Sequence, residues 1–279
     1  MESLKPMPRR TRFTLALVAF FAFVVMVPAL VLYASGYRFS SVQGESGLVP
    51  MGALSITVPD RPATLFVDGN AVAEPGLFAD SFFIRNVYPG IHTLDIVASG
   101  TIPWHREVYV MPTKVAYAFP FMVAQEPVAS RLTTASSSYA SVSKAFASSS
   151  PVNVATSSVS AHIRGDVAVW IEDGHTVLVE WRGNTSEIPY FFCSVADAKE
   201  LCLNQIFIAI KAEVLSVDFF PGRDDVLALV TNQGVFALEV DGRSERSLLP
   251  LYMGKNTKAL ISEGRIYIKN MSGIFEVAI

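Results

Sequence analysis

Charge is scarce in this 279-residue chain. Only 17% of its residues are Asp, Glu, Lys or Arg, against roughly 25% in an ordinary soluble domain. Neither sign dominates, because 22 basic and 25 acidic side chains leave a formal charge of −3. Without a basic excess to neutralise phosphates, the chain as a whole is not built to bind nucleic acid. Cysteine is scarcer still. Two residues cannot make a disulfide-dense miniprotein or a four-cysteine zinc site. There is no HExxH pair, no G-x-S-x-G elbow, no phosphate-cradling glycine loop and no kinase signature. Collagen-like, acidic-tail and broadly disordered chains are excluded by the same balance. What the chain has in excess is apolar residues, at 51%.

Much of that excess is local. From Phe13 to Ala34 no residue is charged, and a helix of that length spans about 33 Å, enough for a bilayer core of ~30 Å. Pro28 inside the run is tolerated in a membrane helix, and Tyr33 and Tyr37 stand where an aromatic belt would. A buried core helix would not be this long or apolar all round. Lys5, Arg9, Arg10 and Arg12 precede the run, opposed only by Glu2. The positive-inside rule then predicts a cytoplasmic basic tail over 1–12, a transmembrane helix over 13–34 and an exported remainder. The expected location is the cytoplasmic membrane, single-pass, with most of the chain outside. A cleavable signal would have a shorter apolar region and a small-x-small site. Here Leu32-Tyr33-Ala34 precedes Ser35, which favours an uncleaved anchor. The run is also long for a twin-arginine signal at Arg9-Arg10. Residues 35–51 read as a juxtamembrane linker.

Residues 52–126 alternate short strands with turns. GALSITV, ATLFVDG, SFFIRNV, HTLDIVAS and REVYVM are rich in β-branched and aromatic residues, and Asp68-Gly69, Pro89-Gly90 and Ser99-Gly100 supply turn chemistry. A small antiparallel sandwich is predicted. The order Asp68-Gly69, then Asn86-Val87-Tyr88-Pro89-Gly90-Ile91-His92-Thr93-Leu94, then Gly100 and Pro103-Trp104 resembles the PEGA domain. That resemblance implies a small β-sandwich of bacterial and archaeal envelope proteins. The chain differs from the family pattern at Glu74-Pro75-Gly76, which lacks the full P-E-G-A string, and at Thr101, where an aromatic is usual. His92 and His105 read as strand residues facing solvent or a carbonyl, and Trp104 as a packing anchor.

Residues 127–160 form a serine-rich stretch. Twelve of the thirty-three residues from Val128 to Ser160 are Ser, and only Arg131 and Lys144 are charged. The composition predicts a flexible linker; an O-glycosylated stalk has the same composition. A short helix around Tyr139–Phe146 is a further reading of it.

The last part, 161–279, repeats a strand, a glycine turn and a second strand. The three turns fall at Gly174, Gly234 and Gly273, and each pair of strands alternates as a hairpin with one buried face. The glycines lie 60 and 39 residues apart; a repeat near forty points to propeller blades, and the added length of the first interval falls around Phe192–Gln205. About three are present, fewer than the four to eight that close a ring. Either the serine-rich stretch hides further strands, or the array is open and its apolar faces meet another surface. Val226, Leu229, Val235, Phe236, Ile266 and Phe275 are expected on those faces. Tyr190-Phe191-Phe192-Cys193, Asp218-Phe219-Phe220-Pro221-Gly222-Arg223-Asp224-Asp225 and Gly234-Val235-Phe236-Ala237 resemble the propeller-like end of PEGA-domain membrane proteins from candidate-phylum, Parcubacteria-like bacteria. Cys193 and Cys202 flank an insertion around Phe192–Gln205 and are expected to form a disulfide outside the membrane.

The predicted fold is therefore mainly β: one N-terminal transmembrane helix, a PEGA-like sandwich and an incomplete propeller-like array. No catalytic, cofactor or metal residue is predicted. Asp224-Asp225 and Glu172-Asp173 are paired acids at turns where carboxylates are ordinarily solvated, and His162 and His175 have no nucleophile beside them. The expected function is a membrane-anchored extracytoplasmic binding protein without catalysis. Its partner would be an envelope protein or glycan, or a second copy docking through the repeats; an intramolecular cover is the other way to close the array. The alternatives are an envelope glycan hydrolase, whose two acids leave no linear motif, and a receptor that signals through a partner because its cytoplasmic tail is short.

Overall fold

The protein is described from a computed structural model that covers residues 8–42, 45–58, 63–72, 81–148, 161–196, 199–243 and 245–278. It is mainly β. Helix α1 (Arg9–Ala34) comes first, followed by β1 (Tyr37–Val42), β2 (Glu45–Pro50), β3 (Gly52–Thr57), β4 (Ala63–Val67) and β5 (Asn70–Ala71). Next are β6 (Ser81–Val87), β7 (Gly90–Ala98), β8 (Trp104–Val110), β9 (Val115–Ala118), β10 (Ala129–Arg131) and helix α2 (Tyr139–Ser148). Then come β11 (His162–Arg164), β12 (Val167–Ile171), β13 (Thr176–Trp181), β14 (Cys193–Ala196), β15 (Lys199–Cys202) and β16 (Gln205–Ala209). The chain closes with β17 (Val214–Phe219), β18 (Val226–Thr231), β19 (Gly234–Glu239), β20 (Leu248–Met253), β21 (Lys258–Ser262), β22 (Arg265–Asn270) and β23 (Gly273–Val277). Two compact units divide it: residues 1–55, 83–91 and 109–116, and residues 56–82, 92–108 and 117–279.

In the first unit, α1 starts four residues before the uncharged run. Pro8 at its N-cap has φ −62°, a value already suited to entering a helix, and arginine is a good helix former. The helix carries Pro28 inside it and buries none of its side chains. Its best eighteen-residue window has a mean hydropathy of 2.9, so it is long and apolar enough to cross a membrane. Two of its final carbonyls are capped: the Ser35 N–H donates to Val31 O at 2.9 Å and the Gly36 N–H to Tyr33 O at 3.2 Å. The expected juxtamembrane linker is instead structured. β1 and β2 form a hairpin from Tyr37↔Pro50 to Val42↔Glu45, and the Met51 N–H returns to Gly36 O at 2.9 Å. A three-stranded sheet in the order β6-β3-β9 follows. At its start only glycine fits position 52, because a Cβ there would meet the Val110 side chain and lie 2.6 Å from Met111 O.

The second unit begins with a four-stranded sheet, β5-β4-β7-β8. The Asp68-Gly69 turn has φ +50° and +75° and joins Val67 to its partner Asn70, the two-residue hairpin geometry for which Asp-Gly is suited. Three further four-stranded sheets follow, in the orders β11-β12-β13-β16, β17-β18-β19-β20 and β10-β23-β22-β21. All three glycine-turn hairpins read from the sequence are present in them. The middle sheet is buried on both sides. Leu227 and Leu229 pack against Val167, Val169 and Val179 of the first sheet, while Val226 and Val230 pack against Ile266 and Ile268 of the third. Phe236 and Phe275 depart from expectation and are only half-buried.

Residues 127–148, expected as part of a flexible linker, contribute two elements to this unit; residues 149–160 lie outside the described residues. β10 supplies the fourth strand of the third sheet through Ala129↔Val277 and Arg131↔Phe275. Helix α2 places Val142 and Phe146 one turn apart, and both pack with Leu132, Tyr267 and Ile274. Two large side chains at helical spacing give a serine-rich segment enough apolar contact to order, which bulk composition does not register. The insertion is also a hairpin: Cys193 and Cys202 face each other across β14 and β15 and are joined by a disulfide with Cα atoms 3.9 Å apart.

Candidate binding cleft and its buried polar surround

Strand β8 reads Trp104-His105-Arg106-Glu107-Val108, and its burial alternates so that Trp104, Arg106 and Val108 share the inward face. The arginine is fully buried there. Its Nη2 donates to Glu239 Oε2 at 2.8 Å and its Nη1 to the Asp241 carbonyl at 2.9 Å. The Trp104 indole N–H donates to the other Glu239 oxygen at 2.9 Å. Glu239 belongs to β19, on the inward face shared with Val235 and Ala237. Burial holds its carboxyl above the usual range, and the Arg106 charge and the Trp104 hydrogen bond only partly offset that.

Two more arginine–carboxylate pairs adjoin this one. Arg243 meets Asp241 at 2.8 Å and lies over the Tyr190 ring at 4.8 Å. Tyr190 donates to Asp225 Oδ2 at 2.6 Å and stacks on Phe119 with ring centroids 5.0 Å apart. Arg223 grips both Asp225 oxygens, at 2.7 and 2.8 Å, and reaches the Phe119 and Pro120 carbonyls. Burial alone raises the Asp225 carboxyl, yet Arg223 and Tyr190 together outweigh it and hold the group below its ordinary range. Burial likewise drives the Tyr190 hydroxyl far up, with the Asp225 charge adding to it. Asp225 therefore corrects the sequence expectation of a solvated turn acid: it is buried, while its neighbour Asp224 is exposed.

A carboxylate that performs acid–base catalysis needs a lone pair or proton directed at substrate. Glu239, Asp241 and Asp225 each direct theirs at an arginine. The arrangement acts as a polar seam that fixes β8, the 119–121 segment and the middle sheet in one register. Beside it lies a cleft of about 770 Å3, lined among others by Ile208, Thr231, Gln233, Phe236, Arg246 and Leu248. A bulge between β19 and β20 falls at Val235/Phe236; such irregularities re-aim side chains, and Phe236 faces this cleft rather than a core. The hairpin ahead of it needs glycine at 234, where φ is +155° and a Cβ would strike the Tyr252 carbonyl. On the cleft wall, Arg246 donates to Val240 O at 3.0 Å, and burial pushes its guanidinium below the usual range.

The remaining sequence-predicted residues are dispersed. Arg9, Arg10 and Arg12 lie exposed in the first turn of α1, and Lys5 and Glu74-Pro75-Gly76 lie outside the described residues. Gly90 and Gly100 take φ of +139° and +72° at their turns, with Pro89 immediately before the first. His105 faces solvent as expected and also meets Asp95 at 2.6 Å, whereas His92 is largely covered and meets Asp68 at 2.7 Å. Asp68 also accepts from the Thr93 N–H at 3.0 Å. Trp104 is buried. No group of three or more metal-ligating side chains occurs among the described residues. Arg106 was missed by motif reading, although strand alternation alone places it on an inward face. Comparison of the chain with known family models and with curated proteins finds no match.

Proposed function

We propose that this chain is a membrane-anchored, extracytoplasmic binding protein of the cell envelope, without catalytic activity. One observation carries the reading: α1 is long and apolar enough to cross a membrane and buries none of its side chains. A helix of that kind in water would leave its whole circumference unfavourably solvated; in a bilayer it is at home. Arg9, Arg10 and Arg12 at its start support a cytoplasmic N-terminal side by the positive-inside rule. The disulfide in the β14–β15 hairpin agrees with an oxidising compartment for the remainder. In this reading residues 52–126 act as a PEGA-like module and 161–279 as a propeller-like array of three blades. Helix α2 supplies intramolecular cover to one face of the array. An envelope protein or glycan occupies the cleft around Phe236. Engagement of the buried acids by arginine supports a binding role over the glycan-hydrolase alternative.

The test is topology. Protease added to spheroplasts is expected to digest the chain beyond about residue 40 while an N-terminal tag stays protected. A protected C-terminal region would reverse the orientation, and a soluble product beginning near Ser35 would replace the anchor with a cleaved signal.

A further inference from the structure

Where α1 ends, the first unit forms a cavity of about 540 Å3 whose lining includes Tyr33, Gly36, Arg38, Phe83, Arg85 and Lys114. Three of its lining residues are basic and none is acidic, in a chain whose overall charge is −3. From this we infer that the cavity is a headgroup site for an anionic phospholipid of the leaflet at that end of α1.

The walls are built rather than incidental. Gly36 O accepts from the Met51 N–H, Met51 O from the Thr113 N–H, and Lys114 O from the Ala53 N–H, all within 3.0 Å. Two wall residues hold left-handed backbone without being glycine: Asn86 at φ +58° and Thr113 at φ +61°. For a β-branched threonine that conformation is strained and is retained only where the surroundings impose it. The Arg38 guanidinium is held in place by donating to Tyr33 O at 2.7 Å and Tyr37 O at 2.9 Å, and lies 3.8 Å from the Tyr33 ring centroid. Only Nη1 is used in those two bonds, so Nη2 and Nε can form the fork that suits a phosphate. Arg85 lies over the half-exposed Phe83 ring. Aromatic rings beside guanidinium groups suit the glycerol–phosphate boundary of a lipid, apolar on one side and anionic on the other.

The placement in a leaflet rests on the anchor reading above; the binding chemistry does not. The test uses the full chain in a neutral detergent, titrated with dihexanoyl phosphatidylglycerol, dihexanoyl phosphatidylcholine or inorganic phosphate, with the thermal transition as readout. Phosphatidylglycerol is expected to bind at least about tenfold tighter than phosphatidylcholine. That preference should disappear in Arg38→Gln/Arg85→Gln and shrink in Arg85→Gln alone, which leaves the helix cap untouched. Equal binding of both lipids, or a preference unchanged in Arg85→Gln, would overturn the site. Inorganic phosphate binding as tightly as phosphatidylglycerol would make it a free-anion site and overturn the lipid assignment. Release of the chain from membranes by alkaline carbonate would remove the anchor reading and leave these titrations unaffected.

Discussion

The two most apolar segments of the chain sit in opposite surroundings. All six residues of β18, Val226 to Thr231, are buried, whereas α1 buries none of its twenty-six. Strand β18 is apolar because protein covers both of its faces, which is how a central strand loses its alternation. Helix α1 is apolar without such cover from the other described residues, and it is long enough to cross a membrane. Equal hydrophobicity therefore carries two meanings, distinguished by whether the rest of the fold supplies the contact. The polar seam obeys the same logic: Arg106–Glu239 is enclosed, with side chains 0% and 4% exposed, while Arg265–Glu276 makes a 2.6 Å pair at 57% and 26% exposure.

Placing one charge in each apolar segment breaks the contrast most sharply. Leu229→Arg is expected to cost about 4–5 kcal/mol or more, because the charge has no partner in the core, and to abolish the cooperative melt. Val24→Arg should leave that melt unchanged in detergent and disfavour insertion by about 2.5–3.5 kcal/mol, read as a smaller share of the chain in the membrane fraction. If both variants lower the melting temperature equally, α1 is a core helix and the contrast fails.

In the seam, Arg106→Leu should destabilise by about 3–5 kcal/mol, since it strands the buried Glu239 carboxylate, whereas at the exposed pair outside it Arg265→Leu should cost no more than about 1 kcal/mol. Chemical denaturation of both variants, with Arg106→Leu/Glu239→Leu as control, reads the difference. The double variant is expected to recover most of the loss. Cys193→Ser/Cys202→Ser should cost about 2–3 kcal/mol by the loop-closure argument, confined to the insertion hairpin and measurable by hydrogen exchange there.

The smallest effect is a matter of pH. The folded-state value of Asp225 is lowered, so its stabilisation is complete above the ordinary aspartate value of 3.8 and is lost as pH falls below that toward the folded-state value. Glu239 runs the other way, because its folded-state value is raised: the protein loses stability as pH rises from the ordinary 4.5 through that raised value. Asp225→Asn should therefore flatten the acid limb of a stability–pH profile while leaving the Glu239 limb in place. An unchanged acid limb would mean that Asp225 does not set it.

The apolar run, the three hairpins and the disulfide partners were legible because each is a local pattern: a length, an alternation, a spacing. Arg106 was legible in part, as a charged residue at an inward strand position, but its partner lies in β19 and no linear spacing points to it. The burial of Asp225 was hidden for the same reason, since Tyr190 lies 35 residues upstream and the carbonyls that receive Arg223 belong to Phe119 and Pro120. In the serine-rich stretch composition pointed the wrong way, because order there depends on β23, which lies far along the chain. The cavity at the end of α1 needed three separate segments to be brought together, although each of its basic residues was visible by itself.

The pairing of β10 with β23 has a consequence for how the protein is made. Ala129 is synthesised well before Val277, yet the two lie side by side in one sheet. Until β23 arrives, β10 has no ladder to join and the faces that α2 covers do not exist. The third sheet is therefore closed last, by a contact that spans the whole repeat region, and contacts of such sequence separation slow folding. During that interval β10 is an open edge and α2 a loose amphipathic segment, the kind of species on which chaperones and proteases act.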